Sequence, residues 1–282
     1  MLPYSISYFS SSRTHLSHLF RHWSTSSKSS LSKTTAVALL SGGLDSAVTL
    51  AIARASHQEL LALTFDYGQR GSSHELTASK QVAKSLNADT HRIIKLDPLV
   101  FRGYSALTNQ DDPKGVQVPK AEGKLDAESS NAKERDREAG AKDIPVTYVP
   151  ARNLIFLSYA TAIAEGIKAR DIYIGANVVD FSGYPDCRPE FFRAFEEACR
   201  IGTKAGVEDG KGVRVIAPLI EMSKMEIVKR GLEMDVNFAD THSCYDVAED
   251  GVPCGVCESC HLRRTAFLRL GFSEDPAIAA RR

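Results

Sequence analysis

Two stretches of the chain combine residue types and spacings that could do chemistry. The first is Ser41-Gly42-Gly43-Leu44-Asp45-Ser46, which follows the short apolar run 35–40 and precedes helical periodicity from Asp45 to Arg54. A turn from a buried strand into a helix leaves the first N–H groups of the helix unpaired, and an anion belongs there. Gly42 and Gly43 are expected to allow positive φ and a close approach of backbone to ligand, and the hydroxyls of Ser41 and Ser46 add donors. A Walker A loop would need a lysine after the second glycine to grip the β and γ phosphates, but Leu44 stands there. That suits an enzyme in which the α phosphorus is attacked and pyrophosphate leaves as one piece. Nucleotide contact is expected over Leu40, Ser41, Gly42, Gly43, Leu44, Asp45, Ser46, Ala47, Val48, Thr49 and Leu50. Asp45 and Ser46 are the expected catalytic pair, with Asp45 available to Mg²⁺, which prefers hard oxygen ligands. The plain alternative is a glycine turn capped by Ser41 or Asp45.

The second stretch holds Cys244, Cys254, Cys257 and Cys260 within 17 residues, a C-x9-C-x2-C-x2-C spacing. Four thiolates that close in space match tetrahedral Zn²⁺. A [4Fe–4S] ferredoxin run would place another cysteine and then proline after a three-residue gap from Cys260, and Arg264 and Thr265 stand there instead. A full set of four cysteine ligands leaves no open position, so one structural zinc per chain is expected. Such clustering also implies a reducing compartment, whereas a redox C-x-x-C is the competing use.

Between these anchors, Arg152 and Asn153 follow Pro150 at a helix start, where a guanidinium and an amide could hold phosphate or carboxylate. Phe181, Tyr184, Asp186 and Arg188 crowd a glycine- and proline-fixed loop after the run 171–177. An aromatic face and a carboxylate accepting from adjacent N–H donors would satisfy a planar heterocycle. A well-capped turn would use the same residues.

Those side chains need elements to carry them. Apolar runs at 35–40, 60–68, 91–97, 171–177 and 213–219 read as strands, and 45–54, 74–88, 153–166, 189–200 and 223–231 read as helices. Alternating strands and helices predict an α/β fold, a Rossmann-like parallel sheet covered on both faces, with ligands at the carboxyl ends of its strands. With 282 residues, 43% of them hydrophobic, the chain can bury a sizeable core. Its 35 acidic and 35 basic residues balance, so bulk charge points to neither nucleic acid nor an anionic membrane. No run reaches the roughly 18 apolar residues of a membrane span.

Three segments complete the expected organisation. Residues 1–33 are rich in serine, carry Arg13, Arg21, Lys28 and Lys33, and contain no acid, since the first is Asp45. This start is either transit-like or a disordered upstream extension, so the location is expected to be cytoplasmic, with an organelle as the alternative. Residues 109–143 have almost no large apolar side chains and are expected to be a mobile insertion in the nucleotide domain at 34–240. A zinc-binding C-terminal appendage is expected over 241–282.

The Ser41–Ser46 stretch resembles the PP-loop of the ATP pyrophosphatase superfamily, of adenine nucleotide alpha hydrolase type. "LTFDYGQR", "YVPARNLIFLS", "DFSGYPDCRPEFF", "SCY" and "CGVCESCHLRR" then follow in the order seen in 7-cyano-7-deazaguanine synthases, the nitrile-forming enzymes of queuosine and archaeosine precursor synthesis. The resemblance runs from Ala36 to Pro276 and departs from the family in the Ser-rich start and the length of the 109–143 insertion. It implies a ligase that uses ATP to turn 7-carboxy-7-deazaguanine and ammonia into the nitrile through an acyl adenylate and an amide, with no nucleic-acid or membrane partner, and it implies a homodimer. Since that chemistry needs no covalent enzyme intermediate, Cys187 is expected to be a packing residue. The competing readings are a PP-loop tRNA-thiolation enzyme using paired cysteines and a non-catalytic nucleotide-binding module.

Overall fold

The computed structural model describes residues 34–108, 117–121, 144–177, 183–248 and 250–281. The Ser-rich start, most of the 109–143 insertion and Phe181 lie outside the described residues. Five parallel strands, β1 (Thr35–Leu39), β2 (Glu59–Asp66), β3 (Thr90–Lys95), β4 (Asp171–Tyr173) and β5 (Arg214–Ile216), form one sheet in the order β3-β2-β1-β4-β5. β1 is central, and in its register Val37 faces Leu61 while Ala38 faces both Ala62 and Tyr173. The order reverses direction between β1 and β4, and the crevice outside their carboxyl ends is where such sheets bind ligands.

Side-chain alternation explains why both faces are covered. Val37, Leu39, Leu61 and Leu63 point into one apolar cluster, and Ala36, Ala38, Leu60 and Ala62 into another. The first face is covered by Leu157, Ala160 and Ala164 of α3 (Arg152–Gly166) and by Phe192 of α4 (Pro189–Gly202). The second takes Ala47, Val48 and Ala51 of α1 (Leu44–Ser56) and Val82 and Ala83 of α2 (Ser72–Ser85). Beyond α5 (Lys204–Asp209), it also takes Ile227 and Val228 of α6 (Lys224–Glu233) and Ala266 and Phe267 of α7 (Glu258–Arg269). Because Phe267 is fully buried in that cluster, the C-terminal residues are part of the main core. Residues 33–282 form a single compact unit.

The expected strands at 171–177 and 213–219 are longer than the observed ladders. β4 stops at Tyr173 because Gly175 passes against α1, where a Cβ would sit 3.1 Å from the backbone of Asp45 and Ser46. β5 gives way to turns in which Ala217 O accepts from Ile220 N and Leu219 O from Met222 N. Within 109–143, the described residues 117–121 meet the C-terminal segment. Lys120 pairs antiparallel with Cys257, Ala121 N donates to Val256 O at 2.7 Å, and Val118 is buried in the core. One apolar side chain and a pair of backbone bonds suffice to dock residues 117–121, whatever the polarity of their neighbours.

A buried arginine joins the end of the chain to the crevice. Arg263 on α7 is bidentate to Asp275, at 2.6 and 3.0 Å, and donates to Thr241 Oγ1 at 2.6 Å and Phe238 O at 2.9 Å. Asp275 in turn caps α8 (Pro276–Ala279) by accepting from Ala277 N at 2.9 Å. Removing one member of a satisfied buried pair strands the other charge, so Arg263→Ala is expected to lower the unfolding free energy by about 3–5 kcal/mol. A urea titration measures it, and a loss below about 1 kcal/mol would show that Arg263 is not the tie.

Candidate functional site

The loop between β1 and α1 sits at the sheet's crevice and is held from three sides. Thr64 Oγ1 donates to Leu40 O at 2.6 Å, fixing the strand end. His242 N donates to Gly42 O at 2.8 Å, and Ser243 Oγ accepts from Leu44 N at 3.1 Å. Gly42 has φ +86 and lies so near α2 that a Cβ would be 2.6 Å from Ser79 N. Gly43, expected to share that role, instead has φ −77 and is the N-cap of α1, with no side-chain cap. Ser41 Oγ accepts from Gly43 N at 3.3 Å and Ser46 Oγ is bonded to Ser41 Oγ at 3.1 Å, so with Leu44 N on Ser243 the side chains of this turn leave the N–H groups of Asp45 and Ser46 for a ligand. The first turn of α1 therefore presents N–H groups toward the crevice, the arrangement that binds phosphate.

A cavity of about 250 Å³ opens from this turn. Leu40, Ser41, Gly43, Leu44, Asp45 and Ser46 line it. Gly42 is turned against α2, and Ala47, Val48, Thr49 and Leu50 are buried in the core. One helical turn past Gly43 the side chains are buried against the sheet, so the cavity lining from this segment ends at Ser46.

Asp45 does not stand alone. Lys224 Nζ reaches both of its carboxylate oxygens at 2.8 Å, from the first position of α6. A capping box aims that helix, because Ser223 Oγ accepts from Glu226 N at 3.4 Å and Glu226 Oε2 accepts from Ser223 N at 2.7 Å. Lys224 supplies at the crevice the cation that the loop itself lacks. It was missed because 179 residues separate it from Asp45, although the S-x-x-E signal around it is visible in the sequence.

Arg152, Asn153 and Tyr184 line the far part of the same cavity. Burial opposes the Arg152 charge, yet Tyr67, Tyr184 and Asp186 around it raise its pKa and keep it cationic. Tyr184 OH pairs with Thr147 Oγ1 at 2.6 Å. Phe156 stacks on Phe65 at 4.1 Å and meets Tyr67 edge-on at 5.4 Å, giving the cavity an aromatic wall. Asp186 is buried outside the lining, and its Oδ2 accepts from Asn153 N at 3.0 Å. It holds the start of α3. Arg188, the N-cap of α4, does not line the cavity either. Cys187 does, but burial first and then Asp186 push its thiol up to about 12.

The sulfurs of Cys244, Cys254, Cys257 and Cys260 all lie within 4.8 Å of one another. Backbone N–H groups of Asp246 and Cys254 point at Cys244 Sγ, at 3.4 and 3.2 Å, and that of Cys257 at Cys254 Sγ, at 3.3 Å. Donors aimed at sulfur stabilise thiolates, so the donor set fits a tetrahedral metal such as zinc.

The family whose model matches residues 35–271 is described as queuosine biosynthesis protein QueC. A 7-cyano-7-deazaguanine synthase from Syntrophus aciditrophicus (strain SB) is 49% identical over 247 residues, covering 88% of this chain and 98% of that protein. One from Cupriavidus taiwanensis is 49% identical over 245 residues, covering 87% and 97%. Another from Desulfatibacillum aliphaticivorans is 45% identical over 244 residues, covering 86% and 96%.

Removing a preorganised charge or donor at a developing phosphate charge costs about 10²–10³-fold in rate. Asp45→Ala and Ser46→Ala are each expected to lose more than that in turnover, Ser46→Ala while unfolding near the parent's midpoint and Asp45→Ala at a lower one because buried Lys224 loses its carboxylate, and near-normal rates would move the phosphate site elsewhere. Cys254→Ser is expected to lose its metal and become protease-sensitive across 241–282, because metal binding at such a cage is folding free energy. Elemental analysis and limited proteolysis check this. Iron with a visible chromophore, or active protein without metal, would contradict it.

Proposed function

Because the chain belongs to the family of the queuosine biosynthesis protein QueC, with relatives that are 7-cyano-7-deazaguanine synthases, we propose that it converts 7-carboxy-7-deazaguanine and ammonia into 7-cyano-7-deazaguanine, using ATP in two rounds. The observation that carries this reading is the single cavity joining the uncapped start of α1 and Lys224 to Arg152, Asn153 and an aromatic wall. It has an anion-binding end, a cationic centre and a flat apolar face, which are the needs of a triphosphate, a carboxylate and a heterocycle.

A carboxylate is a poor electrophile because oxide would have to leave. In the first round a carboxylate oxygen bonds to the α phosphorus of ATP and pyrophosphate departs. Ammonia then bonds to the acyl carbon, AMP leaves, and nitrogen loses a proton to give the amide. In the second round the amide oxygen attacks the α phosphorus of another ATP, a second pyrophosphate departs, and loss of AMP with the remaining two N–H protons leaves the nitrile. Both rounds need in-line positioning and relief of phosphate charge. The N–H groups of the first turn of α1, Ser46 and Lys224 supply that relief, and Arg152 holds the substrate carboxylate. Mg²⁺ belongs to ATP here, and Asp45 would hold it, adding Lewis-acid charge at the phosphates. One Zn²⁺ held by Cys244, Cys254, Cys257 and Cys260 has a structural role. Asp186 serves base recognition through Asn153, which it fixes, and Phe181 and Arg188 complete the base-binding loop. A homodimer and a cytoplasmic location belong to the same reading. No helix among the described residues is long and apolar enough to cross a membrane.

Exchange of labelled pyrophosphate into ATP, dependent on 7-carboxy-7-deazaguanine, is the direct test. No exchange would leave a nucleotide-binding module, and exchange driven by tRNA instead of the base would make the protein a thiolation enzyme. Within this reading, Asp186→Ala strands the Asn153 N–H at about 1–3 kcal/mol. It is therefore expected to raise KM for the carboxylated base about 10- to 100-fold with that for ATP nearly unchanged. An unaltered KM for the base would show that the loop is only structural.

A further inference from the structure

Glu75, in the first turn of α2, lines the same cavity as the phosphate loop and Arg152, and nothing in adenylation uses it. Its Oε2 accepts from Gln69 Nε2 at 2.9 Å. Gln69 is itself buried, with Oε1 accepting from Tyr67 N at 3.0 Å and Nε2 donating to Phe65 O at 3.3 Å, so the carboxylate is braced against the end of β2. The backbone around it touches the phosphate loop, since a Cβ on Gly42 would lie 2.7 Å from Glu75 O. A fixed carboxylate beside a triphosphate site repels the nucleotide. Its placement needs another reason.

The fate of nitrogen supplies one. Ammonia enters with three N–H bonds and the nitrile has none, so one proton leaves when the C–N bond of the amide forms and two more leave when AMP is expelled from the activated amide. At neutral pH ammonia is also mostly ammonium, which has no lone pair until a further proton is removed. Each of these protons needs an acceptor inside a cavity walled by Phe65, Phe156 and Tyr67.

We propose that Glu75 is that acceptor, binding the incoming ammonium and taking protons from nitrogen in both rounds of the reaction. This rests on the ligase reading given above. The groups that face it are Asp66 from β2, Gln69 and Tyr67 from the turn that follows, and Arg152 from α3. Burial raises the Glu75 carboxyl to about 7, opposed by the Gln69 hydrogen bond and by Arg152 and reinforced by Asp66. A group poised there takes a proton and returns it to solvent between rounds. The sign is fixed: ammonia-dependent turnover falls as pH drops through about 7, when Glu75 becomes protonated.

Glu75→Gln keeps the size and an oxygen to accept from Gln69, so the brace survives. With ammonium chloride as nitrogen donor, the variant is expected to lose about 10²–10⁴-fold in amide and nitrile formation, and its residual rate, carried by free ammonia alone, should keep rising with pH where the parent's profile levels off above about 7. Base-dependent pyrophosphate exchange should stay within a few-fold of the parent's. Hydroxylamine, an uncharged nucleophile at neutral pH, should restore acyl transfer in the variant as a hydroxamate. Parent-like turnover with ammonium, an exchange rate that falls in proportion, or failure of hydroxylamine to restore acyl transfer would each overturn the proposal. Absence of exchange in the parent itself would remove the ligase reading beneath it.

Discussion

The structure depends on one unmet demand, the unpaired N–H groups at the start of α1. Most helices cap that end with their own side chain. Here the cap position is Gly43, and the two serines beside it bond to each other. The surroundings hold the end open. Gly42 packs on α2, Gly175 passes against Asp45 and Ser46, and Ser243 takes only the Leu44 N–H. Asp45 is well placed for the helix dipole but would repel an arriving phosphate. The Lys224 ammonium on both of its oxygens offsets that charge. Since a buried ion pair is often no more stabilising than apolar packing of the same volume, its position beside the loop is a feature for the ligand as well as for the fold.

The cysteine cage bears on that same loop through a few residues of backbone. Cys244 follows directly after His242 and Ser243, whose N–H and hydroxyl hold Gly42 and Leu44. Arg263, one turn along α7 from Cys260, ties Thr241 and Phe238 to Asp275. A metal in the cage would thus act on the loop before α1 without facing it. It would fix the Cys244 end of a short strap whose other end Arg263 holds, and which would otherwise have to be ordered against its own entropy. The docking of Lys120 and Ala121 on Val256 and Cys257 adds the insertion to the same strap.

What was legible in the sequence follows from how local each signal is. The strand, turn and helix around Gly42 are coded by neighbours in the chain, and the four cysteines by a fixed spacing. The ends of β4 and β5 were not, because Gly175 stops its ladder through contact with α1, a tertiary constraint. Helix α7 was hidden inside the metal signal: Cys257 is its N-cap and Cys260 lies one turn along it, so the spacing of ligands masked the periodicity of a helix. The partnership of Lys224 with Asp45, and the bracing of Glu75 by Gln69, depend on folded proximity that no window of sequence contains. Asp186 was expected to accept from the base, and in the fold its Oδ2 accepts from a backbone N–H of α3, a contact that its own loop does not code.

The cysteines also separate the ligase from the sulfur-transfer alternative. Thiolation by paired cysteines needs a nucleophile that is a thiolate at working pH and a partner within reach. Four of the six cysteines converge on one another in the cage. Cys199 is buried on α4 against Thr161, its pKa raised by desolvation, and it does not line the cavity. Cys187 does line it, but desolvation and the neighbouring Asp186 carboxylate hold it near 12, and its sulfur accepts from Asn153 Nδ2 at 3.3 Å. That is the environment of a packing thiol. An active site that had to move sulfur would place a cation beside Cys187 to outweigh burial. This one places the carboxylate of Asp186 there, and the charge of Arg152, which also acts on Tyr67, Tyr184 and Asp186, does not outweigh that carboxylate and burial, so the thiol stays protonated.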